Sequence, residues 1–241
     1  MADAVQYTFQ RYEQKYRITS TQQTRLLRAL EEYMVPDDYG QYSICNIYYD
    51  TPDWQLIRHS LEKSCYKEKL RLRSYGTPGE EDPVFLEIKK KVEGVVYKRR
   101  TQLPSAAAPR YLAGDETLSP GDQVSREIDW FQYLYHSVPR VFLAYDRVAL
   151  AGREEPGLRI TFDRQLRWRD RELDLAAGDW GAPLLPEDAV LMEIKLPGRA
   201  PFWLSRLLGE LEIYPISFSK YGYCYQHYLR KNTFQEEFHS A

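Results

Sequence analysis

The sequence has few of the residues that bind zinc or form disulfides, with four histidines and three cysteines among 241 residues. The cysteines, Cys45, Cys65 and Cys224, are far apart, show no paired spacing and lie near no histidine cluster. This spacing favours neither a Cys/His zinc site nor a disulfide framework. We expect free thiols in a reducing compartment.

Long apolar runs are also missing. The longest, such as Val141–Tyr145, are far too short to cross a bilayer, and the first 18 residues have neither an apolar core nor a cleavage site. We therefore expect a cytoplasmic protein without a signal peptide. The net charge is only −2, so the total charge does not favour a nucleic-acid ligand.

Tyrosine is abundant, with 20 residues against nine phenylalanines, which favours strands around a polar cavity. Six helical segments are expected between and after the strands, the first opened by a capping box of Ser20 and Gln23 and running to Met34. A later helix, Gln123–Ser137, has Trp130, Phe131 and Leu134 at helical spacing. No linker or repeat is visible, so residues 1–241 form one predicted domain. The predicted strands are Tyr7–Ile18, Tyr42–Asp50, Cys65–Tyr75, Pro83–Val92, Val95–Leu103, Val141–Ala149, Leu158–Trp168 and Ala189–Leu196.

Charged residues recur at every second position of these strands. Residues two apart share one face of a strand, and the alternate positions are largely apolar. A charged face ordinarily points to water, but here six strands repeat the pattern. The six charged sets are Glu13 and Lys15, Arg71 and Arg73, Glu87 and Lys89, Tyr145 and Arg147, Arg159 with Thr161 and Asp163, and Glu193 and Lys195. Lys98 with Arg100 is expected to extend the pattern to a seventh strand.

If the sheet closes, one face turns inward, and helices need the apolar face to pack on. The fold expected is α+β, a closed eight-stranded antiparallel β-barrel, or tunnel, with flanking helices. Its inner wall is basic, and burying so many cations without partners would cost several kcal/mol per charge. We therefore expect a polyanion as ligand. One arginine can donate two parallel hydrogen bonds to a phosphate, and the few carboxylates on this face could bind a divalent metal ion.

Several short motifs resemble one family in their order and spacing. They are KLRLRSY, FLEIKKK, YKRRTQL, LRITFD, LMEIKLP and SFSKY. Together they are similar to the VTC domain, the polyphosphate polymerase branch of the triphosphate tunnel metalloenzymes (CYTH-like superfamily), from about Tyr7 to Tyr228. The resemblance implies a tunnel enzyme that uses manganese, or magnesium, to transfer the γ-phosphate of ATP to a growing polyphosphate chain.

The resemblance also implies roles for individual residues. Glu193 would bind the metal ion. Tyr145 and Ser219 would complete the substrate contacts. The residues that the resemblance implies hold the reacting phosphates are Lys15, Arg71, Arg73, Lys89, Lys98, Arg147, Arg159 and Lys220. Lys195 joins this set, and Glu13 and Arg100 join the substrate contacts, from the alternation along the strands and not from the resemblance.

One departure from the superfamily concerns the first strand. The wider superfamily has E-x-E-x-K there, whereas this chain has Arg11 in place of the first glutamate and keeps only Glu13 before Lys15. A single acid favours the polymerase branch over a two-metal triphosphatase. The family's eukaryotic members carry membrane helices that this chain lacks, so analogy suggests docking to a separate membrane protein at the inner face of a membrane.

Three alternatives stay open at this point. The same tunnel could hydrolyse tripolyphosphate or a nucleoside triphosphate. It could bind polyphosphate or an inositol polyphosphate without catalysis. The charged strand faces could also simply be solvated. The four histidines, His59, His136, His227 and His239, fall in helical or terminal segments, so no general base is expected; a phosphate nucleophile is already an anion.

Overall fold

The structure, a computed structural model, describes residues 12–230 except 63, 94, 117–122 and 156. Most of this chain is antiparallel sheet, with helices between the strands. The strands are β1 (Tyr12–Thr19), β2 (Met34–Asp50), β3 (Tyr66–Tyr75), β4 (Pro83–Val92), β5 (Val95–Pro104), β6 (Val138–Gly152), β7 (Arg159–Arg169), β8 (Ala182–Pro183), β9 (Ala189–Leu196) and β10 (Pro215–Ile216). The helices are α1 (Ser20–Leu30), α2 (Gln55–Leu61), α3 (Ala107–Ala113), α4 (Gln123–Tyr135), α5 (Phe202–Glu210) and α6 (Lys220–Cys224), the last followed by a π-helical turn (Tyr225–Leu229).

Eight of these strands have eight or more residues and correspond to the eight that the sequence predicts. The hairpin β4–β5 is confirmed by the pairing of Val92 with Val95. Residues 7–11 of the predicted first strand, together with Lys231 and His239, lie outside the described residues.

The first helix differs from its prediction at both ends. Thr19, not Ser20, is the N-cap: its side chain accepts from the Gln22 backbone N–H, and the Gln22 side chain accepts from the Thr19 backbone N–H. The sequence T-S-T-Q-Q satisfies the capping-box pattern in two registers, and the extended backbone of Thr19 selects one. The helix ends at Leu30, and Met34 already begins β2.

Helix α4 also differs from its predicted amphipathic face. Phe131 is buried, but Trp130 and Leu134 are 60% and 51% exposed. Helical spacing alone does not fix which stripe of a helix meets the core, and here Ile128 and Phe131 do so.

Two compact units divide the described residues. The first, unit 1, takes in the described parts of Met1–Tyr42, Asp146–Gln165 and Leu185–Phe218. Its strand pairings give the order β10-β1-β9-β7, all antiparallel. One face of this sheet is apolar, with Tyr16, Ile18, Met192 and Phe162 in its core, and α1 and α5 contribute leucines to the same core.

The second unit, unit 2, takes in the described parts of Ser43–Tyr145, Leu166–Leu184 and Ser219–Ala241. Its strands include the antiparallel order β2-β3-β4-β5. The apolar face of these strands packs with α2, α3 and α4 in a core that includes Ile47, Leu70, Leu86 and Phe131.

The described residues therefore confirm an α+β fold rich in antiparallel sheet. Closure into a barrel is not confirmed, because β5 and β10 each have a hydrogen-bonded neighbour on one side only. Among the described residues, no helix combines the length and apolar character that crossing a bilayer requires.

Candidate functional site

In unit 2, the face opposite the apolar core is strongly basic. Its side chains form three rows that run across the strands, because residues in register lie side by side. We call this set the unit-2 basic face. The rows are Lys69, Lys89 and Lys98; Tyr48, Arg71, Glu87 and Arg100; and Asn46, Arg73, Phe85 and Gln102.

Glu87 is the one carboxylate in these rows, and its side chain is only 1% exposed. Three cations converge on it. Arg71 lies 2.6 Å from its Oε2, Lys98 lies 2.9 Å from its Oε1, and Arg73 lies 3.5 Å from its Oε1. The sequence prediction that Arg71, Arg73 and Glu87 share a face is thereby confirmed.

These contacts change the protonation behaviour of both partners. Burial raises the pKa of Glu87, but Arg71, Arg73 and Lys98 outweigh it and bring that pKa down to about 2. Burial lowers the pKa of Lys98, Glu87 raises it, and the two guanidiniums lower it, giving about 8. At neutral pH Glu87 is ionised and most Lys98 is protonated.

Tyr48, on the neighbouring strand β2, contacts Arg71 and is itself stacked on Tyr221 of α6. The Nη1 of Arg71 donates to the Tyr48 hydroxyl at 3.1 Å, and the ring of Tyr48 stacks on Tyr221 with centroids 4.7 Å apart. Burial raises the pKa of Tyr48, but the charge of Arg71 overcomes this and the pKa is lowered. Tyr221 donates to Asp50 Oδ2 at 2.7 Å, which ties α6 to the end of β2.

Ser219 and Lys220 stand at the start of α6. The Ser219 hydroxyl caps this helix by accepting from the Gly222 backbone N–H, and it also accepts from Lys69 Nζ at 3.2 Å. The Nζ of Lys220 lies 4.3 Å from the centroid of the Tyr145 ring. Ser219, Lys220 and Tyr145, predicted as substrate contacts, thus lie in unit 2 with Lys69.

Unit 1 carries a second charged face, opposite its own apolar core. We call it the unit-1 basic face, and strand register arranges it in rows as before. The rows are Glu13, Lys195 and Arg159; Lys15, Glu193 and Thr161; and Arg17, Leu191 and Asp163. Arg147, on β6, joins this face through its contact with Asp163.

Acidic partners hold most of these cations. Asp163, 3% exposed, accepts two hydrogen bonds from Arg147, at 2.6 and 2.8 Å. Glu193 pairs with Lys195 at 2.8 Å, and Glu13 pairs with Lys15 at 3.4 Å. Such pairs fix the direction of guanidinium and ammonium groups that would otherwise be mobile.

Oxygen donors for a metal ion are present around Glu193. Glu13 lies diagonally across from it on β1, and Thr161 lies opposite it on β7. The Thr161 hydroxyl is buried and makes no hydrogen bond to any described residue. The described residues contain no group of three or more His, Cys, Asp or Glu that could hold a metal ion by themselves. The donors present fit Mg²⁺ or Mn²⁺ held by one or two carboxylates and by substrate phosphates.

Sequence reasoning missed several residues of the unit-2 basic face. Lys69 continues the alternation of Arg71 and Arg73 by one step, and Asn46, Tyr48 and Asp50 follow the same rule on β2. That signal was available in the sequence. The contact between Asp50 and Tyr221 joins residues 171 apart and has no local signal.

Comparison with protein-family models gives one match, the VTC domain, over residues 10–229. The chain belongs to the VTC domain family. The match covers both basic faces, and it agrees with the family that the strand motifs resemble. A comparison with curated proteins found no match.

A solved structure shares the fold of this VTC domain. A candidate adenylate cyclase from Bacillus halodurans has a TM-score of 0.54 and 15% identity, covering 86% of this chain and 92% of its own. Another, from Vibrio parahaemolyticus, has a TM-score of 0.47 and 12% identity, and the match covers 89% of this chain and 96% of that protein. A third, from Hippeastrum, is described with a dominant triphosphatase activity. It has a TM-score of 0.47 and 15% identity, and the match covers 88% of this chain and 93% of that protein. The first shows a common fold; such identities show nothing of the substrate.

Proposed function

We propose that this VTC domain is a metal-dependent phosphotransferase that makes polyphosphate from ATP. The observation that carries the proposal is the clustering of cations in register on two sheet faces. On the unit-2 basic face, six basic residues of three strands accompany a single carboxylate, Glu87. A phosphate chain supplies the repeated negative charge that such rows require.

The chemistry fits phosphoryl transfer in particular. That reaction asks for positioning and charge neutralisation and for little covalent chemistry from the protein. A terminal phosphate oxygen of the acceptor would form a new bond to the γ-phosphorus of ATP while the bond from that phosphorus to the β,γ-bridging oxygen breaks. ADP leaves with that electron pair, and no proton needs to be removed from the nucleophile.

Each basic residue has a role in this proposal. Arginines give paired hydrogen bonds to phosphate oxygens, and lysines supply point charges. Tyr145, Ser219, Glu13 and Arg100 would orient these groups or contact the substrate. The residues proposed to hold phosphates are Lys15, Arg71, Arg73, Lys89, Lys98, Arg147, Arg159, Lys195 and Lys220. We add Lys69 to this proposal because it lies beside Lys89 and donates to Ser219.

The metal ion in this proposal is Mn²⁺ or Mg²⁺. Glu193 would hold it, with Glu13 and the hydroxyl of Thr161 nearby. When bound, such an ion offsets the charge on the transferring phosphoryl group. Lys195 keeps the Glu193 carboxylate in place through its 2.8 Å ion pair.

The resemblance also implies a closed tunnel and a membrane partner. We propose that the strands close as an eight-stranded tunnel. Docking to a separate membrane protein at the inner face of a membrane stays a prediction from analogy.

The test is incubation of the protein with radiolabelled ATP and Mn²⁺. A polymerase gives ADP and long acid-stable polymer. Free phosphate without polymer would show a hydrolase and contradict the proposal. Tight polyphosphate binding without turnover under any divalent metal would show a binding protein and contradict it equally.

Two variants sharpen this test. Glu193→Ala removes the metal ligand but also a repelling carboxylate, so polymer formation should stop while polyphosphate binding stays or strengthens. Arg71→Ala should weaken binding by about tenfold to a hundredfold, because a charge-assisted hydrogen bond contributes about 1.5–3 kcal/mol. Glu187→Ala, an exposed carboxylate before β9, is the control and should change neither.

A further inference from the structure

Glu87 lies at the centre of the cations of the unit-2 basic face. Its carboxylate is an anion with two oxygens, nearly inaccessible to solvent, and three cations from two neighbouring strands point at it. The Arg71 contact uses both Nε and Nη2 on Oε2, at 2.6 Å each. Such convergence holds flexible side chains in one arrangement before any ligand arrives.

We propose that Glu87 is a positioning residue that holds Arg71, Arg73 and Lys98 together as one preformed phosphate-binding group and offsets the positive charge around Lys98. This inference rests on the proposed function, because it takes a phosphate chain as the ligand. Glu87 itself need not touch the substrate; it acts through the three cations.

The charges around Lys98 decide how easily its amine is protonated. Lys98 is surrounded by positive charge, and Glu87 is the acidic group that faces it within the described residues. The charged groups that face it are Lys89 opposite on β4, Lys69 one strand further in the same row, Arg71 and Arg73 on β3, Arg100 on its own strand, and Glu87 on β4. Without the Glu87 charge, the cations that remain favour the neutral amine.

This arrangement predicts how phosphate binding depends on pH. The pKa of Lys98 in the native protein is about 8. Phosphate binds the protonated amine, so affinity falls as the pH rises through this value. In Glu87→Gln the pKa of Lys98 falls further, so the loss of affinity begins at lower pH. A purely structural role for Glu87 would weaken binding by the same factor at every pH.

The experiment is calorimetric titration with tripolyphosphate from about pH 6.5 to about pH 9.5, a range in which lysines and histidines of shifted pKa change charge. A fall of one unit in the pKa of Lys98 would make the ratio of Kd values, Glu87→Gln over native, rise about fourfold between about pH 6.5 and about pH 8. Towards about pH 9.5 native Lys98 also loses its proton, and the ratio should level off at about ten times its low-pH limit. A ratio that stays constant with pH would overturn the inference.

Three further variants serve as controls for this titration. Glu87→Asp keeps the charge and should keep the native pH dependence. The double variant Glu87→Gln, Lys98→Arg should abolish the rise in the ratio when compared with Lys98→Arg alone, because arginine stays charged. Glu68→Gln is the matched control: Glu68 is a buried carboxylate on the other face of β3, 3.4 Å from Lys90, and its replacement should leave the pH dependence unchanged.

A measurement on the ligand-free protein separates this inference from the proposed function. NMR titration of the Lys98 side chain should show a lower pKa in Glu87→Gln than in the native protein, and an unchanged pKa would overturn the inference. If the native protein binds no tripolyphosphate at any pH, the proposed function fails, and the phosphate-binding role assigned to Glu87 falls with it.

Discussion

At the scale of single residues, Asp50 is the clearest case of a buried charge with assigned partners. Its carboxylate accepts from the Leu56 and Ile57 backbone N–H groups, both at 2.9 Å, and from the Tyr221 hydroxyl. It therefore caps the first turn of α2 and also holds α6 in place through Tyr221. Burial raises the pKa of Asp50, and its hydrogen bonds oppose that rise.

Asp50→Ala should therefore destabilise the protein strongly, because at least four donors lose their acceptor in a buried place: the backbone N–H groups of Thr51, Leu56 and Ile57 and the Tyr221 hydroxyl. We expect a loss of about 3 kcal/mol in the free energy of unfolding, measured with urea. Tyr221→Phe removes one hydroxyl only and should cost about 1 kcal/mol. Equal losses in the two variants would contradict the role given to the helix N–H groups.

Glu87 predicts an acid dependence of stability at the same scale. Its native pKa is about 2, against an ordinary value of 4.5, so its charge stabilises the fold above about pH 4.5 and this contribution is lost as the pH falls towards 2. Urea unfolding of Glu87→Gln at about pH 5 and about pH 3 should show a smaller difference between the two pH values than the native protein shows. The same difference in both proteins would contradict the lowered pKa.

At the scale of elements, two glycines predict opposite effects of the same substitution. A Cβ on Gly181, beside β8, would lie 2.6 Å from the backbone oxygen of Trp168, so Gly181→Ala forces the backbone apart. Gly209, in the exposed part of α5, has open space around the same position.

We expect Gly181→Ala to destabilise unit 2 by about 1–3 kcal/mol, as overpacking does, and Gly209→Ala to stabilise α5 by about 0.5–1 kcal/mol. Thermal unfolding of the two variants beside the native protein measures both. A melting temperature that does not fall in Gly181→Ala would contradict the contact at Trp168, and one that falls in Gly209→Ala would contradict the open space there.

The strands could be predicted because their alternation is strong: Leu70, Leu72, Leu86 and Ile88 all face the core of unit 2. The start of β2 at Met34 could not be predicted from the sequence. Helical propensity continues past Leu30, and only the tertiary fold ends α1 there. Within the candidate site, alternation along a strand predicts which residues share a face. It cannot show that three cations from two strands meet at Glu87, because strand register decides that.

At the scale of the whole molecule, charge is segregated although the total is only −2. Both units place an apolar face on helices and a charged face opposite, and in each a buried carboxylate, Glu87 or Asp163, holds arginines in position. Because the cations of both faces are partly exposed, salt screens their attraction for phosphate, and we expect phosphate binding to weaken as salt is added. Arg110, on α3 and paired with Glu116, offers a control arginine outside both faces.

A crystal structure of the protein soaked with tripolyphosphate tests the central claim most directly, that the two basic faces bind phosphate chains. We expect phosphate oxygens within hydrogen-bond distance of Arg71, Arg73 and Lys98 in unit 2, and of Lys15 and Arg147 in unit 1. Phosphate bound only at other surfaces, such as around Arg110, or no bound phosphate under conditions where calorimetry detects binding, would contradict it.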